Sequence, residues 1–116
     1  MKVSEVAACL SCDIICGEQN MDKQLTSAFG ADLMSDVLSF AKEGCVLLTG
    51  MVNQHTIRTA EMLDVLCIVF VRGKKPTSDI CELAKKKGMT LLVCKHTLYE
   101  ACGRLYQMGL APCCKE

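Results

Sequence analysis

Three short apolar runs constrain this chain more than anything else in it: Cys45-Val46-Leu47-Leu48, Leu66-Cys67-Ile68-Val69-Phe70-Val71 and Leu91-Leu92-Val93-Cys94. None of them alternates polar with apolar residues. A strand with one wet face alternates, so uninterrupted runs predict strands covered on both faces, as parallel sheets require. A segment with helical spacing follows each run. Parallel strands joined by right-handed helical crossovers make an α/β layer fold. The expected architecture is therefore α/β, a three-layer α/β/α arrangement with a mostly parallel central sheet built from consecutive βα units.

The helix ends support that reading. A last helix is predicted from Thr97, with Glu100 three residues on, the spacing of a capping box in which each side chain satisfies an orphan backbone donor. Leu98, Ala101, Cys102 and Leu105 then share a face, and Gly109 fits a left-handed stop. The helix before it follows Pro76, with Thr77 or Ser78 as cap, Asp79 and Glu82 near its positive end and Lys85, Lys86 and Lys87 near its negative end. Ile80, Leu83 and Ala84 form its inner face and Gly88 closes it. Residues 53–63 fit the first crossover helix.

Upstream, residues 3–11 predict a short helix with Ser4 as a cap, and residues 13–17 a strand that ends at Gly17. A polar connection over 18–23 leads to a second strand over 25–31 and a helix over 32–41. The sequence leaves these two strands open between an antiparallel pairing at the sheet's edge and a separate small layer. Residues 1–110 are expected to form one domain, and 111–116, with Pro112 and the adjacent Cys113-Cys114, a frayed C-terminal tail.

Composition narrows the function classes. Hydrophobic residues make up 51% of the chain but aromatic ones only 4%, so the core must be aliphatic and sulfur-bearing. Lysine plus arginine and aspartate plus glutamate both total 13, which removes the global field that would attract nucleic acid. No apolar run approaches the roughly 18 residues that a membrane span needs, and residues 1–5 lack a signal peptide's apolar stretch. A cytoplasmic location is expected, with neither membrane nor nucleic acid as partner. Ten cysteines would suggest disulfides in a small secreted domain, but Cys45, Cys67, Cys81, Cys94 and Cys102 fall on predicted core positions, which suits a reducing compartment.

Few motifs carry chemistry. Cys9, Cys12 and Cys16 are spaced so that thiolates could share a metal, with Cys113-Cys114 as a further ligand. Against this, the triad straddles a helix and a strand and no second C-x-x-C exists; packing cysteines explain it as well. Neither G-x-x-x-x-G-K-[ST] nor G-x-G-x-x-G occurs, and nothing resembles a nucleophile elbow. His55 and His96 are the only histidines. No catalytic residues and no cofactor are expected. What remains is positional: ligands of open parallel sheets gather at the carboxyl ends of the strands. Those ends carry residues 49–55, Arg72-Gly73-Lys74 and Lys95-His96-Thr97, a set that suits an anionic ligand. Ordinary capping and solvated loop charge would give the same composition.

From residue 2 to residue 110 the sequence resembles the DRTGG domain family. Met21-Asp22-Lys23-Gln24-Leu25-Thr26-Ser27-Ala28 occupies the place of the motif that names the family. Asp22 and Thr26 match it, Lys23 replaces its arginine, and Ser27-Ala28 replaces its two glycines. Asp32-Leu33-Met34-Ser35-Asp36-Val37, Asn53-Gln54-His55 and Ala101-Cys102-Gly103-Arg104-Leu105-Tyr106 extend the likeness. The resemblance implies a fold similar to the N-terminal domain of HPr kinase/phosphorylase. It also implies a regulatory or interaction role without intrinsic catalysis, a homodimer, and a partner kinase or hydrogenase-related protein.

The expected function is a regulatory domain that binds a small anionic ligand, for instance a nucleotide, and self-associates. The expected site is Thr49, Asn53, His55, Arg72 and His96, with Asp32 and Ser35 from the preceding loop. Two other readings stay open: a protein-interaction module for a partner enzyme or kinase, and a metal or redox carrier using Cys9, Cys12 and Cys16.

Overall fold

The computed structural model describes residues 1–113. Elements run in the order α1 (Val3–Cys9), β1 (Asp13–Cys16), a single 3₁₀ turn (Glu18–Asn20), β2 (Ser27–Gly30), α2 (Met34–Phe40) and β3 (Cys45–Thr49). They continue with α3 (Gln54–Met62), β4 (Cys67–Phe70), α4 (Ser78–Lys86), β5 (Thr90–Val93), α5 (Leu98–Gln107) and β6 (Ala111–Pro112). The six strands form one sheet in the order β1-β5-β4-β3-β2-β6. Every pairing is parallel except that of β1, which lies antiparallel to β5.

The three apolar runs become β3, β4 and β5, and every residue of these strands is buried. The alternate faces of the sheet feed two separate cores. Cys45, Leu47, Ile68, Phe70, Leu91 and Val93 point toward α2, α3 and α4, which supply Val37, Ile57, Ala60, Ile80 and Ala84. Val46, Leu48, Cys67, Val69 and Leu92 point toward α1 and α5, which supply Val3, Val6, Leu10, Ala101 and Leu105. This distribution follows from the handedness of the crossovers. Three successive steps, β2 to β3, β3 to β4 and β4 to β5, run the same way and put their helices on one face. The return from β5 to β6 runs the other way, so α5 lands on the opposite face.

Both strands that the sequence left unplaced belong to this sheet. The segment between them is less polar in its environment than its residues suggest. Asn20 is buried and donates from Nδ2 to the Gly88 carbonyl at 2.9 Å and to Thr90 Oγ1 at 3.0 Å. Thr90 Oγ1 in turn donates to the Gly17 carbonyl at 2.9 Å. Gly17 sits at φ 88°, and a Cβ there would lie 2.4 Å from Thr90 Cα, so the closeness of the turn to β5 requires glycine on both counts.

Several local expectations change. Ser4 lies inside α1, whose cap is Lys2; Glu5 Oε1 accepts from the Lys2 backbone N–H at 2.8 Å. The capping box on α5 forms only by half. Thr97 Oγ1 accepts from the Glu100 N–H at 3.4 Å, but the Glu100 carboxylate turns to His96 and Arg104, where charge-assisted bonds are available. Cys81 and Cys102 are half-buried, not core, because each sits at the border of its helix's inner face. Ala111 and Pro112, expected in a frayed tail, pair with Ser27 and Ala28 of β2, and Cys113 is buried. Residue Cys114, invoked above as a metal ligand, lies outside the described residues, as do 115 and 116.

Ser27, the first residue of β2, carries a buried hydroxyl with no hydrogen-bond partner among the described residues. An unsatisfied buried hydroxyl costs roughly 1–3 kcal/mol. Ser27→Ala is therefore expected to raise stability by about 1 kcal/mol, read as a higher urea midpoint with an unchanged slope.

Candidate functional site

Because β2, β3, β4 and β5 are parallel, their carboxyl ends open onto the same edge of the sheet. Antiparallel β1 brings its amino end, Asp13, to the same edge beside Val93. The four parallel ends span three interstrand gaps of about 4.8 Å, roughly 14 Å in all. All seven residues expected at the site lie along this rim, but they are not one cluster, and their roles differ.

Asp32 and Thr49 form a closed node. Asp32 Oδ1 accepts from Thr49 Oγ1 at 3.1 Å and from the Gly50 N–H at 2.7 Å. Thr49 Oγ1 also accepts from the Met51 N–H at 3.1 Å, and the residue is wholly buried. Buried, and with its hydroxyl engaged as both donor and acceptor, Thr49 shapes the β3–α3 loop and is not presented to solvent. Asn53 is the cap of α3, its Oδ1 accepting from the Thr56 N–H at 2.9 Å. Gln54 and His55 open the exposed first turn of that helix, and Ser35 lies exposed in α2.

Arg72 is the most unusual member. It follows β4 with φ 59°, a left-handed conformation that costs a non-glycine residue on the order of 1–3 kcal/mol. Two bonds to the end of β5 hold the turn: the Arg72 N–H donates to the His96 carbonyl and the Gly73 N–H to the Cys94 carbonyl, both at 2.8 Å. The guanidinium then lies over Gly50, where a Cβ would come within 2.6 Å of Nη2. No acceptor among the described residues takes a hydrogen bond from it. Lys74 Nζ donates to the Gly50 carbonyl at 3.3 Å, so two cations flank one glycine.

On the β5 side, His96 Nδ1 lies 3.1 Å from Glu100 Oε1, and Arg104 Nη2 lies 3.1 Å from Glu100 Oε2. The Arg104 guanidinium, and after it the His96 ring, holds the Glu100 carboxyl below its ordinary range. Next to the Arg72 turn, a groove of about 390 Å³ is lined by Ser11, Asp13, Gly73, Lys75, Val93 and Lys95. Sequence reasoning missed Lys75, Ser11 and Asp13 as rim residues. The last two could be placed there only once the antiparallel pairing of β1 was known.

The Cys9, Cys12 and Cys16 triad is not brought together. Cys9 and Cys12 pack against the core under α1 and α5, whereas Cys16 belongs to the core on the other face. Among the described residues no three metal-ligating side chains converge, and no helix is long and apolar enough to cross a membrane.

A family model described as the DRTGG domain matches residues 5–108. The chain belongs to the DRTGG domain family. Among solved structures it is similar to the CBS and DRTGG domains of the regulatory region of Clostridium perfringens pyrophosphatase, complexed with the activator diadenosine tetraphosphate. The TM-score is 0.72 at 20% identity, over 91% of this chain and 46% of that one. The chain thus spans about half the length of that relative, and the likeness establishes the shared fold. Comparison with curated proteins gives no match. The stretch in the place of the DRTGG motif lies at the amino ends of the strands, opposite the rim. There Thr26 donates from both N and Oγ1 to the Gly44 carbonyl, at 2.8 and 3.3 Å. In this chain it joins β2 to the start of β3.

Two outcomes follow from the rim's geometry. Asp32→Ala removes the acceptor for a buried hydroxyl and a backbone N–H, and should cost roughly 1–3 kcal/mol in urea unfolding; Asp32→Asn, which keeps an oxygen there, should recover most of it. Glu100 has a lowered folded pKa, so its contribution is complete above the ordinary value of 4.5 and is lost as pH falls through the folded value. Glu100→Gln should flatten this acid limb in midpoint-against-pH curves and leave the neutral region's slope unchanged.

Proposed function

We propose that this domain is a regulatory module that binds an elongated anionic ligand of the nucleotide polyphosphate class along the strand-end rim, performing no chemistry of its own. The observation that carries the reading is the Arg72 guanidinium, held over Gly50 by a strained turn and left without an acceptor among the described residues. A strained conformation that presents an unpaired cation at a strand end is an arrangement expected of a binding site. Lys74, Lys75 and Lys95 lie on the same side, while Asp32 is committed to the Thr49–Gly50 loop. A rim of roughly 14 Å exceeds a single phosphate and suits several linked ones. That the related pyrophosphatase region is complexed with a dinucleoside tetraphosphate makes this ligand class the first to try.

A second reading is favoured by one observation. Tyr99, Tyr106 and Met108 of α5 and its end are 91%, 70% and 63% exposed, an apolar face of the kind that protein partners cover. Self-association, or docking of a partner enzyme or kinase, would use that face.

Thermal shift of the reduced protein against diadenosine tetraphosphate, ATP and pyrophosphate tests the first reading, with light scattering to follow self-association. A ligand at about 100 times its Kd stabilises by about 2.7 kcal/mol, several degrees for a domain of this size. Arg72→Ala should weaken the responding ligand at least about tenfold, the loss of one charge-assisted hydrogen bond. An unchanged affinity in that variant would remove the rim from consideration. Silence across the panel together with a dimer in solution would favour the α5 face.

A further inference from the structure

The nine described cysteines are all free thiols. Among them, Cys12 and Cys94 are neighbours. The antiparallel register pairs Asp13 with Val93 and Ile14 with Leu92, so one step outward along the ladder Cys12 comes opposite Cys94. Directly opposed residues of an antiparallel pair have Cα atoms about 4.5–5.5 Å apart, inside the range a disulfide spans. The two side chains interact, and both pack in the core beneath α1 and α5.

We propose that Cys12 and Cys94 are a redox-modifiable pair, which a hydroperoxide converts to a disulfide that tethers the start of β1 to the end of β5. The chemistry suits this pair. The Cys12 thiol beside it, and after that the backbone at His96, lowers the Cys94 thiol below its ordinary value, which favours the nucleophilic thiolate at that sulfur. Cys12, by contrast, is raised by the same contact and stays a thiol. The Cys94 thiolate attacks one peroxide oxygen, the O–O bond breaks, and the departing oxygen leaves as water or alcohol with a proton from solvent. The Cys12 sulfur then displaces the hydroxyl of the resulting sulfenic acid, forming the S–S bond and releasing water. The two thiols lose two electrons and two protons in all, and the peroxide is reduced.

A second interacting pair shows what is missing elsewhere. Cys45 and Cys113 also meet, but both are buried in the opposite core, and burial, followed by the neighbouring Cys113, pushes Cys45 up to about 12. Cys94 is buried as well, but its partner Cys12 is only half-buried, so this pair, unlike Cys45 and Cys113, has one sulfur close to solvent.

The pair sits next to the cationic turn. The Cys94 carbonyl holds the Gly73 N–H, and the His96 carbonyl, 4.0 Å from Cys94 Sγ, holds the Arg72 N–H. Closing the disulfide therefore acts on the turn that presents Arg72, which makes the oxidation state of the pair a control on the rim. Only this consequence rests on the proposed ligand role.

The test needs no ligand. Reduced protein is treated with hydrogen peroxide, free thiols are blocked, and the digest is mapped by mass spectrometry, with ¹H–¹⁵N spectra before and after. The expected result is a dithiothreitol-reversible peptide pair carrying Cys12 and Cys94, with the Cys45 and Cys113 thiols still free. The Arg72 and Gly73 amides shift, while that of Ile57 in α3 stays in place. Cys12→Ser should lose both the cross-link and the shifts. Blocked, unlinked Cys12 and Cys94 after treatment would overturn the redox pair. A cross-link without movement of the Arg72 and Gly73 amides would overturn its control of the rim while leaving the ligand proposal untouched.

Discussion

β3, β4 and β5 have no face in contact with water, and the other elements are arranged to keep it so. Backbone groups in such strands can be satisfied only by neighbouring strands, and side chains on both faces must meet helices. Parallel neighbours need long crossovers, crossovers have one hand, and a one-handed march from β2 to β5 covers a single face. The second face is left to α1 and to α5, which is why α5 must carry the chain back across the whole sheet before β6 can form beside β2. Aliphatic residues and cysteine suit these two thin cores. Each has to be filled from short strands, and sulfur fills a small space without demanding a partner.

The same parallel arrangement creates the rim. All the turns that leave the carboxyl ends of β2 to β5 must reverse direction within a few residues, and the polar groups they carry become mutual supports first. Asp32 holds Gly50, Thr49 holds Met51, Asn53 holds Thr56, and the end of β5 holds Arg72 and Gly73. After this internal accounting, the side chains left facing outward include the cations Arg72, Lys75 and Lys95. Ligand selectivity along such an edge comes from what the loops leave unpaired, not from the full roster of polar residues in them.

That distinction explains what the sequence made legible. The central strands, their helices, the cap at Thr97 and the stops at Gly88 and Gly109 were readable because each depends on local pattern: apolar runs, 3.6-residue periodicity, and glycine at left-handed positions. The position of β1 was not readable, because a four-residue strand pairs with whichever edge the tertiary structure leaves free. The role of Asn20 was hidden for the same reason; its partners Gly88 and Thr90 are distant in the chain. At the rim, Arg72 could be named from its place after a strand. That Thr49 would be spent inside the loop, and that Lys75 would line a groove with Asp13, depended on contacts no local window contains.

The outermost strands have a consequence of their own. β6 is two residues long and includes Pro112, which has no N–H to donate, and β1 is four residues long with a bulge between Ile14 and Cys16. Short, interrupted or proline-bearing edges make poor templates for a strand from another molecule. The sheet is therefore terminated at both sides, protected against edge-to-edge stacking into fibrous aggregates despite a core so rich in β-forming residues. Any assembly of this domain is directed to its helical layers, where contacts are set by side chains and can be selective.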